Sequence, residues 1–505
     1  LIEVRGELSN EIICPDTGEV FFPDQRGGTV PGKSAFTCKQ PTCGQDQDVL
    51  RSIKASGKTG PVAMFACQGY CPTCAKESQP YSGRFFDLPH IRAYDSALAE
   101  WEARRDSDLS HYWPRSELPY GFMTHHNNGG IPNHGFTHWW KMFNARQLLL
   151  HSQLLRAIAT SGNADWATRE FVLGAFQQYL RNQNMFCFWH ISHDHFAPHF
   201  SNANYHPKST LIEVGAFTPV GYGPWPSTLG NVLDGSEWAQ NPWELVPKSL
   251  LPAELEEQIG GKSIRVPTGD PVTSEPQLDC RSSTDLRTIS DASFDLVVTD
   301  PPFGGLLHYS ELADFFHVWL RCVLAERYLD VFDAEFSPKA LEAVANRARN
   351  PEGPDNFYRR MLTECWRESR RILKPGGMLA FTFHHSEDEP WVAVLESLFE
   401  AGFYLEAAYP IRSDETKGEG SKPGTIGSQK IEYDIIHVCR KRIDRPEPVS
   451  WARLRREIMR DVRDLEDLLR QHQAAGLQQA DLQVIRRGKA LEHFSRHYGQ
   501  VYVER

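Results

Sequence analysis

The feature that most constrains the fold is an alternation of strand-like and helix-like segments between Ser263 and Lys441. Short apolar runs such as FDLVVT and MLAFTFHH alternate with amphipathic segments such as DNFYRRMLTECWRESRRIL. This alternation predicts a parallel sheet whose strands are joined by crossover helices. The last two runs, FYLEAAYPI and EYDIIHVCRK, have no helix between them and predict an antiparallel hairpin at one edge. QLDCRSS is a further, short strand candidate. We therefore predict an α/β fold.

The rest of the chain divides by composition around this predicted sheet, which we place in residues 262–445. Residues 1–85 are rich in Gly, Pro, Thr and Cys and predict a small loop-rich module. Residues 86–250 hold a helical insert, with one long amphipathic pattern over Trp139–Gly162, followed by an aromatic, His-rich and Pro-rich stretch. Residues 446–505 predict a charged helical tail.

The composition limits the classes of protein to which the chain can belong. The chain has 505 residues, of which 40% are hydrophobic and 24% charged, as in ordinary globular proteins. No apolar run is long enough to cross a bilayer and no signal peptide is visible, so we predict a cytoplasmic protein. A formal net charge of -11 argues against a generally basic nucleic-acid coat, but it leaves room for a local basic groove.

The strand-like run FDLVVT leads directly into Asp300-Pro301-Pro302-Phe303-Gly304-Gly305. Open parallel sheets bind ligands beyond the carboxyl ends of their strands, which is where Asp300 lies. Two prolines fix the backbone and remove two N–H donors, so nearby carbonyls are free to accept. Phe303 adds a ring on which a base can stack. Together these groups suit a planar ring with an exocyclic amino group, whose hydrogens the carboxylate and a carbonyl would accept.

The run Thr299–Phe303 resembles the catalytic [DNS]-P-P-[YFW] motif of S-adenosylmethionine-dependent amino-methyltransferases. HYSELADFFHVWLR, RRILKPGGMLAFTFHH and GFTHWWKMFNARQLLLHSQLLRAI resemble one branch, the prokaryotic adenine-specific DNA methylases that carry a zinc ribbon. This resemblance touches almost the whole chain. It implies a Rossmann-like methyltransferase sheet, with a small zinc ribbon and a helical insert that is a candidate target-recognition region. It also implies N6 methylation of adenine in DNA, in a restriction-modification or phage-defence setting.

The resemblance assigns roles to individual residues. The target adenine would be flipped out of the duplex, and Asp300 and the carbonyl near Pro301 would hold its amino group. Pro302 and Phe303 complete the catalytic set. The predicted contacts of S-adenosyl-L-methionine are Asp285, Thr299 and Gly304. A turn-capping role suits Asp285 equally well.

The Gly-rich turn that would cradle the methionine end of the cofactor is not apparent in the sequence. Val214–Asn231 contains glycines, but three prolines interrupt it, and the pattern favours a loop. In the resembling family the cofactor motif lies N-terminal to the zinc ribbon, and this chain begins at Leu1 rather than Met. We therefore expect the catalytic half of a methyltransferase, which needs a separate or upstream segment to supply that motif.

Two other functions fit the same residues. The DPPF sequence followed by Gly also occurs in tRNA methylases, so the substrate could be a base amino group of tRNA or rRNA. The lack of a Gly-rich cofactor turn also fits a catalytically incomplete, DNA-binding subunit.

Cysteines indicate a metal site in the amino-terminal module. Five of the 11 cysteines lie between Cys38 and Cys74, without a secretory signal, which favours reduced thiols and a metal over disulfides. The pairs Cys38 with Cys43 and Cys71 with Cys74 predict a structural, tetrahedral Cys₄ site for Zn²⁺. Two further cysteines, Cys14 and Cys67, are reserve ligands. CPDTG looks like a knuckle whose second Cys has become Thr17.

Several other polar residues are weaker candidates. A cluster of histidines could bind a metal, although loop histidines near a nucleic acid are the favoured interpretation; its members are His190, His193, His195, His199 and His206. His384 and His385 end the strand-like run MLAFTFHH, which follows FDLVVT in the predicted sheet. They either line the base or cofactor pocket or take part in packing. Arg146 and Gln147 are candidates to face the active site.

Overall fold

The structure is a computed structural model of a chain that forms two compact units. It describes residues 12–21, 35–59, 64, 66–77, 80–190, 195–201, 204–207, 211–218, 223–247, 263–269, 276–383, 388–412, 433–470 and 479–503. The first unit comprises Leu1–Leu278 and Glu311–Ser337, and the second comprises Asp279–Ser310 and Pro338–Arg505. The chain therefore leaves the second unit just after the DPPF motif and returns to it 27 residues later, at Pro338.

The first unit begins with small antiparallel strand pairs. They are β1 (Ile12–Ile13) with β2 (Val20–Phe21), β3 (Ala35–Thr37) with β4 (Asp46–Asp48), and β5 (Cys67–Tyr70) with β6 (Arg84–Asp87). Two helices accompany them, α1 (Val49–Ser56) and α2 (Pro72–Lys76). Helix α1 begins where the Asp48 carboxylate accepts the N–H groups of Leu50 and Arg51. It ends at Gly57, whose φ of 63° lies in the left-handed region.

Helices dominate the rest of the first unit. They are α3 (Ile91–Arg104), α4 (Ala145–Thr160), α5 (Trp166–Asn182), α6 (Trp225–Gln240), α7 (Tyr309–Leu324) and α8 (Leu329–Phe332). The first two residues of α7 belong to the second unit. Two further antiparallel pairs are β7 (Phe188–His190) with β8 (His195–Ala197), and β9 (Trp243–Pro247) with β10 (Ser263–Pro267). Fully buried aromatic side chains fill the core, among them Trp139, Phe176, Tyr179 and Trp319.

The insert differs from the sequence prediction at two helix starts. Trp139–Gly162 is not one helix, because Trp139–Met142 forms a 3₁₀ turn and α4 starts only at Ala145. Asn144 sets this start through a capping box with Gln147. In Val214–Asn231, the part from Trp225 onward is helix rather than loop, since proline is tolerated in the first turn of a helix.

The second unit is built on a four-stranded mixed sheet. Its strands are β11 (Phe294–Thr299), β12 (Leu373–Thr382), β13 (Phe403–Arg412) and β14 (Tyr433–Lys441), in the order β11-β12-β14-β13. Strands β11 and β12 are parallel, whereas β14 is antiparallel to both of its neighbours. The hairpin predicted at one edge is therefore confirmed. Residues 277–283, predicted as a short strand, form no strand; Leu278 is 88% exposed there and has no sheet partner to bury it.

Helices α9 (Pro354–Ile372) and α10 (Asp388–Glu400) complete the core of the second unit. Inward-facing side chains of β12 alternate with outward ones. Leu379 and Phe381 of β12, and Phe383 just after it, therefore pack in the same core as Trp366 of α9 and Trp391 of α10. Short turns complete the regular structure: 3₁₀ turns at Pro80–Gly83, Asn127–Gly129, Ile131–His134 and Lys339–Leu341, and a π-helical turn at Phe122–His126.

The carboxyl-terminal tail is an integral part of the second unit. It holds β15 (Val449–Ser450), α11 (Trp451–Arg470), α12 (Gln479–Arg496) and β16 (Val501–Tyr502). In α12, the Ser495 hydroxyl accepts the N–H of Leu405 at 2.9 Å and the Glu492 carboxylate accepts the N–H of Ala408 at 2.8 Å. Helix α12 therefore covers the β13 edge of the sheet and satisfies two of its backbone donors.

Across the described ranges, from residue 12 to residue 503 with the gaps given above, no helix combines the length and apolar character needed to cross a membrane.

Candidate functional site

Asp300 lies at the carboxyl end of β11, immediately after its last residue, Thr299. Thr382 is the last residue of the neighbouring strand β12 and donates a hydrogen bond from its hydroxyl to Asp300 Oδ1 at 2.6 Å. Because the two strands are parallel, their carboxyl ends lie side by side, which brings these two residues together. Asp300 is exposed, and no described residue hydrogen-bonds to its second oxygen, Oδ2. The carboxylate is thus oriented by one oxygen and free to accept with the other.

The backbone carbonyls of the two prolines differ in their hydrogen bonding. The Pro302 carbonyl accepts the Tyr358 hydroxyl at 2.5 Å and the Gly304 N–H at 3.1 Å. Burial raises the pKa of Tyr358, which keeps its hydroxyl protonated and donating. The Pro301 carbonyl, by contrast, has no hydrogen-bond partner among the described residues. Pro301 is buried, and buried backbone carbonyls usually have partners, so this carbonyl lacks the partner that its burial would normally bring.

Two glycines allow the turn to pack closely against residues 342–349. Gly304 has a φ of 63°, in the left-handed region, and its carbonyl accepts the Ala345 N–H at 3.1 Å. A Cβ at Gly305 would lie 2.6 Å from the Ala345 carbonyl oxygen. Gly304 therefore has a structural role in the turn, and its assignment as a cofactor contact stays a prediction.

A polar network continues this anchoring toward the start of α7. Glu342 accepts both the N–H of Ser310, at 2.9 Å, and its hydroxyl, at 2.5 Å, and pairs with Arg349. His308 and Asn346 are both buried, and their side-chain nitrogens lie 3.3 Å apart. The segment after the motif is thus held at several points by residues 342–349, which the sequence did not mark because they show no periodicity or motif.

Phe303 is held in a chain of aromatic rings. Its ring meets that of Phe383 edge-on, with centroids 5.3 Å apart, and Phe383 in turn meets Trp391 at 5.2 Å. Phe303 itself is only partly buried. Its ring is therefore fixed on one side by the core, while part of it stays accessible at the same end of the sheet as Asp300.

Asp285 lies at the opposite end of β11 from Asp300. Its neighbour Leu286 donates its N–H to Glu368 and receives a hydrogen bond from Arg371, both in the last turn of α9, beside the start of β12. The Asp285 carboxylate pairs with Arg287, which lowers the pKa of Asp285 to about 2. The structure does not bring Asp285 together with the DPPF residues, and its cofactor role stays a prediction.

Among the histidine candidates, His199 is engaged in packing. His199 is buried against the rings of Phe186, Phe200 and Phe315, and burial lowers its pKa well below the usual value. His190 and His195 are paired in the backbone register of β7 and β8, and His206 is partly buried. His193, His384 and His385 lie outside the described residues.

Arg146 and Gln147 have structural partners in the first unit. Arg146 makes a two-point ion pair with Glu213, its Nε lying 2.7 Å from Oε1. Gln147 is buried and completes the capping box of α4 through its side-chain oxygen. Both side chains therefore stabilise the start of α4, and their predicted place beside the active site stays a prediction.

The thiols form one close cluster, and it differs from the predicted set. The Sγ atoms of Cys14, Cys38 and Cys43 lie within 4.8 Å of one another. Cys71 and Cys74 do not belong to this group, so the predicted set of Cys38, Cys43, Cys71 and Cys74 is not assembled. Cys71 instead caps the short helix α2, its sulfur accepting the Cys74 N–H at 3.5 Å. The CPDTG motif was the sequence signal that pointed to Cys14 as a reserve.

A scan against models of known protein families gives no match, and a comparison with curated proteins gives no related sequence.

Proposed function

We propose that the second unit carries the base-binding half of an S-adenosylmethionine-dependent methyltransferase that acts on the N6 amino group of adenine in DNA. One observation carries the proposal. Within four consecutive residues, the carboxyl end of β11 presents an oriented carboxylate, an unpartnered backbone carbonyl and a partly accessible aromatic ring. An amino group on a planar ring is the chemical partner that uses all three.

Asp300 and Pro301 would divide the two amino hydrogens between them. Asp300 Oδ2 would accept one hydrogen, while Thr382 holds Oδ1 and so sets the plane of the carboxylate. The Pro301 carbonyl would accept the other, because the Pro302 carbonyl is already used by Tyr358. Two acceptors on the amino hydrogens draw the nitrogen lone pair out of conjugation with the ring, and a fixed geometry makes this polarisation effective. Phe303 would stack on the flipped base.

S-adenosylmethionine would supply the methyl group on its sulfonium centre. Thr299 and Gly304 flank the motif at the same end of β11 and remain the proposed contacts of this chain with the cofactor. Asp285 stays a predicted cofactor contact apart from this cluster, because it lies at the opposite end of the strand. Apart from β11, whose turn at Gly304 and Gly305 belongs to the proposed base-binding site, no strand in the described part of the chain leads through a Gly-rich turn into a helix.

The β11 edge is the proposed attachment point for that cofactor-binding segment. Among the described residues β11 pairs only with β12, whereas the opposite edge, β13, is covered by α12. Alternate residues on one face of β11 are apolar and exposed: Phe294 by 45%, Leu296 by 47% and Val298 by 71%. Parallel strands are normally covered on both faces. A further strand with its crossover helix, from a separate or upstream segment, would complete a Rossmann-like sheet here.

The decisive experiment compares modified nucleosides in cells that carry the natural gene with those that carry Asp300→Ala at the same locus. We expect N6-methyladenine in genomic DNA with the natural gene and its loss with the variant. Asp295→Ala is the matched control, since Asp295 lies on the same strand, is exposed and pairs only with Lys374 among the described residues. Unchanged N6-methyladenine in the Asp300 variant would refute the assignment.

The same measurement separates the alternatives. N4-methylcytosine in place of N6-methyladenine would assign cytosine as the target base. A methylated base in tRNA or rRNA that depends on Asp300 would favour an RNA substrate.

Titration of the purified chain with S-adenosylmethionine tests the need for a further segment. We expect no measurable binding by the chain alone, and ordinary affinity would contradict the incomplete cofactor site. A restriction-modification or phage-defence setting rests on the family resemblance and forms part of the same proposal.

A further inference from the structure

We infer that the first unit holds a metal centre with three thiolate ligands, Cys14, Cys38 and Cys43, and an exchangeable oxygen ligand in the fourth position, beside Thr17. The ion would be thiophilic and divalent, with Zn²⁺ as the best candidate. This centre differs from a closed Cys₄ site in its ligands and in its open position. It does not depend on the methyltransferase proposal.

The spacing of the sulfur atoms fits one tetrahedral ion. Zinc–sulfur bonds of about 2.3 Å place two sulfur ligands of a tetrahedron about 3.8 Å apart. Cys14 Sγ and Cys43 Sγ are 3.9 Å apart, and Cys38 Sγ lies within 4.8 Å of both. Cys14 and Cys38 are buried beside Phe36, which shields two of the three sulfurs from water.

The fourth position is marked by Thr17, not by a fourth thiol. Thr17 follows Cys14 at the spacing of a C-x-x-C knuckle, and its hydroxyl oxygen lies 3.7 Å from Cys38 Sγ. A neutral hydroxyl is a poor substitute for a thiolate, but it can hydrogen-bond a metal-bound water. The Glu19 carboxylate lies 3.7 Å from Cys38 Sγ, so this side of the cluster is lined by oxygen atoms. Thr17 is exposed, and a ligand bound there would exchange with solvent.

Backbone and side-chain N–H groups support the sulfurs, as is usual around metal thiolates. The Gln40 N–H points at Cys38 Sγ at 3.5 Å, and the Gln47 amide nitrogen lies 3.6 Å from Cys43 Sγ. Gln47 is 3% exposed and is held in place by Asp16 at 2.6 Å. Such donors orient the thiolates and reduce their excess negative charge.

The test measures metal content and the spectrum of the cobalt-substituted full-length chain. Thiolate-to-cobalt charge-transfer absorption grows with the number of thiolate ligands, so it counts them. For a Cys₃ site we expect about one ion per chain, and a charge-transfer absorption of the strength that three thiolate ligands give. Cys14→Ser should lose the ion, and the double variant Cys71→Ser, Cys74→Ser should keep it with the same spectrum.

Thr17→Cys gives a readout that does not depend on damage to the fold. A fourth thiolate should strengthen the charge-transfer band by about one third and slow removal of the ion by a chelator, because it replaces an exchangeable ligand. A four-thiolate spectrum in the natural chain, or loss of the ion in the Cys71 and Cys74 double variant, would overturn the inference. An unchanged spectrum in Thr17→Cys would overturn the assigned fourth position.

Discussion

At the scale of single residues, the candidate site depends on contacts from distant parts of the chain. Thr382 and Tyr358 hold Asp300 and Pro302 although they lie 82 and 56 residues away in sequence. The DPPF motif itself could be recognised from the sequence, because its chemistry lies in consecutive residues. Its supporting residues could not, since an isolated threonine at a strand end or a tyrosine on a helix has no distinguishing pattern.

Under the proposed function, Thr382→Val should lower methyl transfer by roughly 10-fold, because removing one hydrogen bond to a charged acceptor costs about 1.5 kcal/mol. The Asp300 carboxylate would lose its orientation. The measurement is the rate of N6-methyladenine formation in cells that carry each variant at the natural locus, with Thr382→Ser as the matched variant that keeps the hydroxyl. Equal rates in the valine and serine variants would show that the hydroxyl has no orienting role.

Tyr358→Phe should destabilise the second unit by about 1 kcal/mol, because removing the buried hydroxyl takes one hydrogen-bond donor away from the Pro302 carbonyl. Urea unfolding followed by fluorescence measures this change. Tyr409→Phe is the control, since that side chain is 57% exposed. A loss of stability that is no larger than in the control would mean that the Tyr358 hydrogen bond contributes nothing net.

At the scale of elements, periodicity predicted the second unit well and local chemistry explains where it did not. Strand β11 and helix α9 match their patterns because one has an apolar run and the other a clear amphipathic period. The start of α4 was missed because Asn144 breaks an otherwise continuous apolar pattern with a cap. Helix α6 was hidden by prolines that a first helical turn accommodates.

The exposed β11 edge predicts self-association of the isolated chain. An apolar strand with unpaired backbone groups is a template for pairing with another chain. Val298→Lys, at 71% exposure, should therefore lower the association detected by light scattering as concentration increases. Val392→Lys is the control, since Val392 is 52% exposed but lies on α10. An equal effect of the two lysines would point to general charge, not to the edge.

At the scale of the whole molecule, both units bury neutral histidines. Burial lowers the pKa of His151 in the first unit and of His437 in the second to about 4, and both side chains are fully buried. His437 stacks on Phe381 with ring centroids 4.7 Å apart. Each unit therefore contains a buried histidine that is uncharged in the folded state.

We expect the free energy of unfolding to fall as the pH drops from about 6.5 to about 4. The folded pKa lies below the unfolded one, so in this window the unfolded state binds more protons, and the stabilisation present above the window is lost. Each histidine contributes up to about 3 kcal/mol to this loss. Urea unfolding at several pH values measures it, and His437→Phe should flatten the profile of the second unit. A profile as steep as that of the natural chain would contradict this source of acid sensitivity.

The contact of α12 with β13 also has a consequence for the order of folding. The Leu405 N–H donates a hydrogen bond to the hydroxyl of Ser495, which lies 90 residues further along the chain. During synthesis, β13 and β14 therefore leave the ribosome well before the helix that covers their edge, and contacts of such long sequence separation form slowly. The β13 edge of the second unit is therefore covered only after α12 has been synthesised. Until then this edge of the nascent sheet is open, as in the folding intermediates that chaperones bind.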